Sequence, residues 1–490
     1  MTSFDRSTLY RSAIVAVAMQ WSVRAIGLIS VVVLARLLQP SDFGIVAIAL
    51  TAAAFIEFFG WIGLRQALVR VREPERSHYD TAWTIQLGLF LFLAVALVGI
   101  APLAADFYGE PAVAPILWAM SLRLVCLAFV NIGIVDFERE MQFGRDMRMR
   151  LGVRLASLVV SLAAAFILRN YWALVIGLVA QSIFYTIASY VAHPFRPRLD
   201  LSRRAEILGV SLWMFLCTLS ELVQQQVERL VLGRIVPSAT VGLYSVSKDL
   251  SSIFTQEIAT ALNRVTFVAV AGSEDSACST QNVTKVLGGY ATVVAPLAAG
   301  LVATAPDAVA VLLGPQWVAA APLLRIIAIY TGVQAVYLMV GAVLQASGHA
   351  RRAALLNLGG AMLSVTAVVG AGVAYRTPGA VAAAALFVNS TMLLVGVFLL
   401  ARNAGASVVS LASNLSRPVL AATLMVAMLT GPLSIESGSA ILDLLWSVTM
   451  GASLYAIAIA LLWFASGRPE GAESEAAMLL AGFRRRLRTS

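Results

Sequence analysis

Fourteen apolar stretches, each long enough to cross a bilayer, follow one another from Ser12 to Phe464 with only short connections between them. Inside hydrocarbon every backbone N–H and C=O must find its partner within the protein, so such a chain is built from helices that satisfy themselves. The expected fold class is an all-α polytopic membrane protein with about 14 transmembrane helices. Charged residues make up 12% of the chain, where soluble domains carry about 25%, and the mean hydropathy is +0.85. Sharing 490 residues among fourteen spans leaves no room for a sizeable domain outside the membrane. Function then rests on side chains within the bundle, which points to transport.

Apolar runs between polar breaks place the spans at 12–38, 43–64, 80–104, 112–133, 151–168, 171–192, 207–235, 240–267, 286–305, 323–346, 353–374, 379–401, 417–431 and 441–464. With the N-terminus inside, most of the 35 basic residues fall in inner segments, from Arg6 and Arg11 to the tail that carries Arg484, Arg485, Arg486 and Arg488. The outer connections hold only Arg36, Arg169, Arg234 and Arg376. This alternation predicts a multi-pass membrane protein with both termini cytoplasmic, because a missed helix would invert every later loop.

The same distribution accounts for the net charge of +9 without a nucleic-acid partner. The basic tail suits anionic lipid headgroups. The first span is interrupted by Arg24 and is longer than a signal-peptide core, so it is expected to be retained. Cys126, Cys217 and Cys278 are too dispersed for a disulfide framework or a metal site, and the signatures HExxH, GxxxxGK[ST] and GxSxG are absent. No catalytic residue, metal or cofactor is expected.

The chain also reads as an internal repeat. Val33-Leu34-Ala35-Arg36-Leu37-Leu38, followed by Gly44, recurs as Val231-Leu232-Gly233-Arg234-Ile235-Val236, followed by Gly242, at an offset of 198 residues. Ala101-Pro102, Gly109 and Pro115 have later counterparts in Ala305-Pro306, Gly314 and Pro322. The expected division is an N-terminal six-helix bundle over 1–205, a pseudo-symmetric C-terminal six-helix bundle over 206–403, two further helices within 404–466 and a basic cytoplasmic tail over 467–490. Repeats of this parity are related by an axis along the membrane normal, and their interface is where substrate is placed.

Charged side chains at the bilayer centre cost about 2.5–3.5 kcal/mol each on insertion scales, so those that persist mark function. They cluster on spans 1, 2, 4, 7 and 8. Gln20, Arg24 and Gly27 share a face of span 1, Glu57 lies in span 2 and Arg123 in span 4. Glu221, Gln224, Gln225 and Glu228 form one polar face of span 7, bordered by Arg229. Ser245, Asp249, Ser252, Gln256 and Asn263 form a stripe on span 8, with Lys248 and Thr255 at its edge. The repeat offset aligns Glu57 with Thr255. Together these helices predict a hydrated, partly cationic cavity for a substrate with anionic and hydroxyl-rich parts. Glu57 and Asp249 are candidates for coupling to H⁺ or Na⁺, between which the residues do not choose. Pairing of the charges with one another is the alternative reading of any single residue.

Arg36-Leu37-Leu38-Gln39-Pro40-Ser41-Asp42-Phe43-Gly44 and Gly60-Trp61-Ile62-Gly63-Leu64-Arg65-Gln66-Ala67-Leu68-Val69 resemble the opening of polysaccharide flippases of the Wzx type. The likeness continues through Asp106-Phe107-Tyr108-Gly109, Arg139-Glu140-Met141-Gln142-Phe143 and Gly242-Leu243-Tyr244-Ser245, and favours the branch exporting colanic acid or succinoglycan repeat units. The resemblance implies membership of the multidrug/oligosaccharidyl-lipid/polysaccharide (MOP) superfamily, with two six-helix bundles in a V shape and alternating access. It implies as substrate an undecaprenyl-diphosphate-linked oligosaccharide moved to the outer leaflet, with membrane lipid, polymerase and export machinery as partners. On that reading Arg24, Arg123, Arg229 and Lys248 meet the diphosphate or acidic sugars, Glu57, Glu221, Gln224, Gln225, Glu228, Asp249, Ser252 and Gln256 bond hydroxyls, and Gln20 completes the substrate-binding set.

Three alternatives remain open on sequence grounds. A multidrug antiporter of the same superfamily would favour a smaller, net acidic pocket for cations. A peptidoglycan-precursor flippase would differ only in substrate. A membrane glycosyltransferase or polymerase would need a large outer loop bearing carboxylates or histidines, and the outer connections are short.

Overall fold

The computed structural model describes residues 26–61, 63–71, 73–140, 142–207, 212–271, 280–346, 349–405, 407–435 and 437–467. Among them there is no strand, and nearly all the chain is helical. It packs as two compact units, residues 1–245 and 246–490.

The first unit begins with α1 (Ile26–Leu37) and α2 (Pro40–Phe58). Gln39, Pro40 and Asp42 start α2 together. Proline takes the first turn, where its missing N–H costs nothing, and the Asp42 carboxylate accepts from the Gln39 N–H at 2.9 Å. The second oxygen of Asp42 accepts from the Tyr171 N–H at 3.0 Å, tying the turn before α8 to the start of α2. Then come α3 (Leu64–Arg70), α4 (Arg76–Tyr108), α5 (Val113–Ala128), α6 (Asp136–Arg139), α7 (Phe143–Leu168), α8 (Trp172–Ala192), α9 (Arg204–Ile207) and α10 (Leu212–Ile235). Helix α2 packs against both α5 and α10, α4 against α5, and α7 against α8.

Helix α11 (Ser238–Ala271) begins in the first unit and continues into the second. The second unit adds α12 (Thr280–Leu312), α13 (Ala321–Ala346), α14 (Ala350–Tyr375), α15 (Pro378–Ala404), α16 (Val408–Thr430) and α17 (Ala440–Ala465). Its core joins Tyr290 and Val294 of α12 to Tyr337 and Val340 of α13 and Met392 of α15. The last two helices lie on α12, where the Tyr455 hydroxyl donates to the Thr292 carbonyl at 2.9 Å.

Ten described helices are long and apolar enough to cross a membrane. The count is eleven if α5 and the following turn with α6 form one span bent by 74°. The expectation of fourteen is not reached on length and apolarity. The shortfall falls on α1, which is too short over its described residues, and on α10 and α11, which are long but carry the charged residues of the candidate site.

The repeat is visible in the elements. Helices α4 and α12 have 33 residues each, with Pro102 and Pro306 at matching places inside them. Helices α7 and α14 have 26 each, and both end on an arginine in the left-handed region, Arg169 at φ 49° and Arg376 at φ 50°. These two are the only non-glycine residues with positive φ among those described. The halves depart from each other at α5, which breaks after Ala128 where α13 runs on unbroken.

Gly44 and Gly242 show why the repeat motif carries a glycine. A Cβ on Gly44 would collide with the Ser238 carbonyl, and one on Gly242 with the Pro40 carbonyl. The starts of α2 and α11 therefore touch backbone to backbone, each copy of the motif meeting the other in the same way. The neighbouring parts of α10 are held by the same unit, with Phe215 against Phe58 at 5.3 Å between ring centroids. The packing division thus falls at 245/246, inside α11, rather than at the sequence junction near 205.

An extended segment, residues 193–200, lies across the first turns of α4. Asp80 accepts from the Arg198 N–H at 2.7 Å, Thr84 Oγ1 accepts from the Asp200 N–H at 2.9 Å, and Asn131 donates to the Phe195 carbonyl at 2.9 Å. His78 and Arg203 then bracket Glu206, each about one hydrogen bond away, at 3.0 and 2.9 Å. Those bonds hold the exposed Glu206 carboxyl below the usual range, His78 contributing first and Arg203 next.

Candidate functional site

In the first unit the predicted residues sit along three adjoining helices. Glu57, near the end of α2, forms an ion pair with Arg123 of α5. Its side chain is 13% exposed and that of Arg123 25%, so the pair is partly withdrawn from solvent yet reachable. Arg123 is the sole charge of α5, and Glu57 is the sole charge of α2 beyond Asp42 in its first turn. Two residues assigned to the substrate independently are therefore partners of each other.

Helix α10 carries the longest polar run. Glu221 and Gln225 are exposed, Gln224 and Arg229 are half-buried, and Glu228 is buried. Glu228 accepts a hydrogen bond from the Tyr244 hydroxyl at 2.7 Å, which fixes the start of α11 to α10. Gln226, on the other side of α10, accepts from Thr51 of α2 at 3.4 Å. Glu228 is thus tied into packing, while Glu221 and Gln225 are the exposed members of the run.

In the second unit α11 divides its polar residues between two faces. Ser247, Ser251 and Thr255 are buried, with the Ser251 hydroxyl 2.6 Å from that of Thr331 on α13 and the Ser247 hydroxyl donating to the Ala320 carbonyl. Lys248 is buried with its ammonium 5.9 Å from the Tyr330 ring centroid, a cation–π contact. Asp249 is exposed, Ser252 is half-buried with its hydroxyl donating to the Asp249 carbonyl at 2.9 Å, and Gln256 donates to Gln334 of α13. The stripe expected on this helix is accordingly narrower. Ser245 is buried at 3% exposure, and Asp249, Ser252 and Gln256 are its more open members.

Gln20 and Arg24 lie outside the described residues. Next to them in sequence, the guanidinium of Arg154 stands beside Gly27 of α1 and also donates to Gln181 of α8 at 3.1 Å. Arg154 reads from sequence as the edge of an inner loop, and the structure places it half-buried within α7. Gln226, Gln334, Tyr244 and Tyr330 were also missed. A glutamine or tyrosine in an apolar helix costs too little to stand out as a charge does. Among the described residues no group of three or more His, Cys, Asp or Glu is arranged to hold a metal.

Chemically, each unit offers acceptors and donors for hydroxyls, and the first offers a guanidinium already balanced by a carboxylate. Such a pair keeps a cation in a low-dielectric place at modest cost, and a more highly charged anion can compete for it.

A sequence profile described as polysaccharide biosynthesis protein matches residues 33–322, more than half the chain. The chain belongs to the polysaccharide biosynthesis protein family. The succinoglycan biosynthesis transport protein ExoT of Rhizobium meliloti (strain 1021) is 27% identical over 315 residues, which is 62% of this chain and 62% of that protein. The match spans less than two thirds of that relative's length. The lipopolysaccharide biosynthesis protein WzxC of Escherichia coli (strain K12) is 21% identical over 353 residues, 70% of this chain and 71% of the other.

Among solved structures, the lipid II flippase MurJ in an inward closed conformation superimposes with a TM-score of 0.76 at 11% identity, covering 93% of this chain and 100% of MurJ. An inward-facing multidrug MATE transporter of the MOP superfamily gives 0.58 at 14% identity, covering 82% of this chain and 99% of the other. At such identities the likeness shows the fold. This family member is a multi-pass membrane protein with the fold of MurJ and MATE transporters.

Proposed function

We propose that this chain is a flippase that moves polyprenyl-diphosphate-linked oligosaccharide repeat units from the cytoplasmic to the outer leaflet for surface polysaccharide export. One observation carries the reading: nearly the whole chain shares the fold of MurJ, while its sequence belongs to a polysaccharide biosynthesis family. The named relatives, one for succinoglycan transport and one for lipopolysaccharide biosynthesis, support a lipid-linked saccharide as the class of substrate. The protein works in the inner membrane with both termini cytoplasmic, without catalysing a covalent step, and hands its product to polymerase and export machinery.

In this reading the two repeats alternate between openings. The diphosphate is met by Arg24, Arg123, Arg229 and Lys248, and sugar hydroxyls by Glu221, Gln224, Gln225, Asp249, Ser252 and Gln256. Glu57 holds Arg123 while the site is empty. A diphosphate carries more charge than one carboxylate, so it draws Arg123 away, and a proton or Na⁺ taken up by Glu57 then balances the carboxylate left behind. Asp249, exposed on α11, is the second coupling candidate.

The test is deletion of the protein in its own cell, with quantification of surface polymer and of polyprenyl-diphosphate-linked oligosaccharide on each membrane face. Loss of polymer with complete repeat units held on the cytoplasmic face is expected. Unchanged glycolipid and polymer, with altered sensitivity to cationic drugs, would overturn the proposal in favour of the antiporter reading that the MATE likeness suggests.

A further inference from the structure

The start of α7 and the end of α8 enclose an open groove of about 410 Å³, and none of the residues assigned to transport is among those lining it. Its floor is apolar, formed by Met149 and Val153 from α7 and by Ala188, Val191 and Ala192 from α8. Arg145 and Arg148 line it as well, and no carboxylate does. Both arginines are exposed. Arg148 donates through Nε to the Gly144 carbonyl at 3.2 Å, and Arg145 through Nη1 to Gln142 at 3.0 Å, so neither is engaged by an acidic partner in those bonds. Nearby Arg150, by contrast, is paired with Asp146 at 2.7 Å.

The groove opens toward lipid. At 100° per residue Arg148, Gly152, Leu155, Val159 and Phe166 share one face of α7. Its apolar members are exposed, Val159 at 67% and Phe166 at 60%, as is Val191 of α8 at 83%. Both helices are long and apolar enough to cross a membrane, so this face meets acyl chains. Both arginines belong to the first two turns of α7, where that span begins and α8 ends. Gly152 leaves the groove open at its waist, because a Cβ there would have nothing within 4 Å.

We propose that this groove binds one anionic glycerophospholipid, with its phosphodiester on Arg145 and Arg148 and an acyl chain along Met149, Gly152 and Val191. The apolar floor selects a membrane lipid over soluble phosphate. The paired guanidinium groups, with no carboxylate lining the groove, select an anionic headgroup over a zwitterionic one.

The test uses the full chain purified in a neutral detergent, with lipid binding read by native mass spectrometry and stability by thermal midpoint. Phosphatidylglycerol is expected to bind and raise the midpoint, whereas phosphatidylcholine and inorganic phosphate leave it unchanged. R145Q/R148Q should weaken phosphatidylglycerol binding by about 30-fold, from roughly one unit of headgroup attraction per arginine. G152L, whose Cβ would have nothing within 4 Å, places a side chain at the waist and should abolish binding without lowering the lipid-free midpoint. Equal effects of the two lipids, reproduction of the shift by inorganic phosphate, or wild-type binding in either variant would each overturn the proposal.

Discussion

At the scale of single residues the Glu57–Arg123 pair governs what a mutation means. Removing one member leaves the other charged and partly desolvated, at a cost on the order of 1–3 kcal/mol, below the roughly 3–5 kcal/mol of a fully buried pair because Arg123 is 25% exposed. E57Q and R123Q are therefore both expected to lose export, and neither alone separates a structural role from transport. The exchange E57R/R123E does. It restores the pair, so the amount of folded protein in the membrane should recover, while export stays lost because the cation now stands on α2. Export recovering with the exchange would reduce the pair to a packing element. Glu57 was legible in the sequence because a carboxylate in an apolar run is expensive. Arg123 was legible for the same reason, but their pairing was not, since a contact across 66 residues is decided only when α2 and α5 pack.

At the scale of elements, the motifs that suggested a family prove to be turn chemistry. Gly63 adopts φ 61° to start α3, Gly109 adopts φ 68° to end α4, and Asp42 caps α2. These residues fix corners and say little about the substrate, which explains why the fold was easier to read than the site. The segment 193–200 was not legible, because its bonds to α4 come from backbone groups that have no sequence signature.

His193 gives that segment a measurable property. Its Nδ1 accepts from the Phe195 N–H at 3.2 Å, leaving Nε2 to face Asp136 at 3.4 Å. Burial lowers its pKa from the usual 6.5, against the opposing pull of Asp136 and Glu140. A histidine with a lowered folded pKa binds fewer protons folded than unfolded, so its contribution is complete above pH 6.5 and is lost as pH falls below that value. The thermal midpoint of the purified protein should fall on acidification from about pH 7, and the fall should be smaller in H193N, whose amide oxygen can still accept from Phe195. Identical pH profiles would show that His193 stays neutral throughout or is unlinked to folding.

At the scale of the whole molecule the duplication was legible because it is written in spacing. Matching 33-residue helices α4 and α12 and the left-handed Arg169 and Arg376 are the structural form of a pattern visible in glycine and proline positions. What spacing could not give is whether α10 and α11 cross the bilayer, since the residues that make them functional also lower their apolarity. Cysteine labelling from outside the cell decides this. In a chain with Cys126, Cys217 and Cys278 replaced by serine, Glu110→Cys and Gln316→Cys report the outer face and Glu73→Cys and Arg402→Cys the inner one. Ala239→Cys, between α10 and α11, is expected to react with an impermeant maleimide together with Glu110→Cys and Gln316→Cys. Protection of Ala239→Cys alone would make α10 and α11 a pair that enters and leaves by the inner face. All other loops would keep their sides, because two spans lost together preserve parity. Twelve crossings would then replace fourteen, and the polar faces of α10 and α11 would lose their place on the transport path.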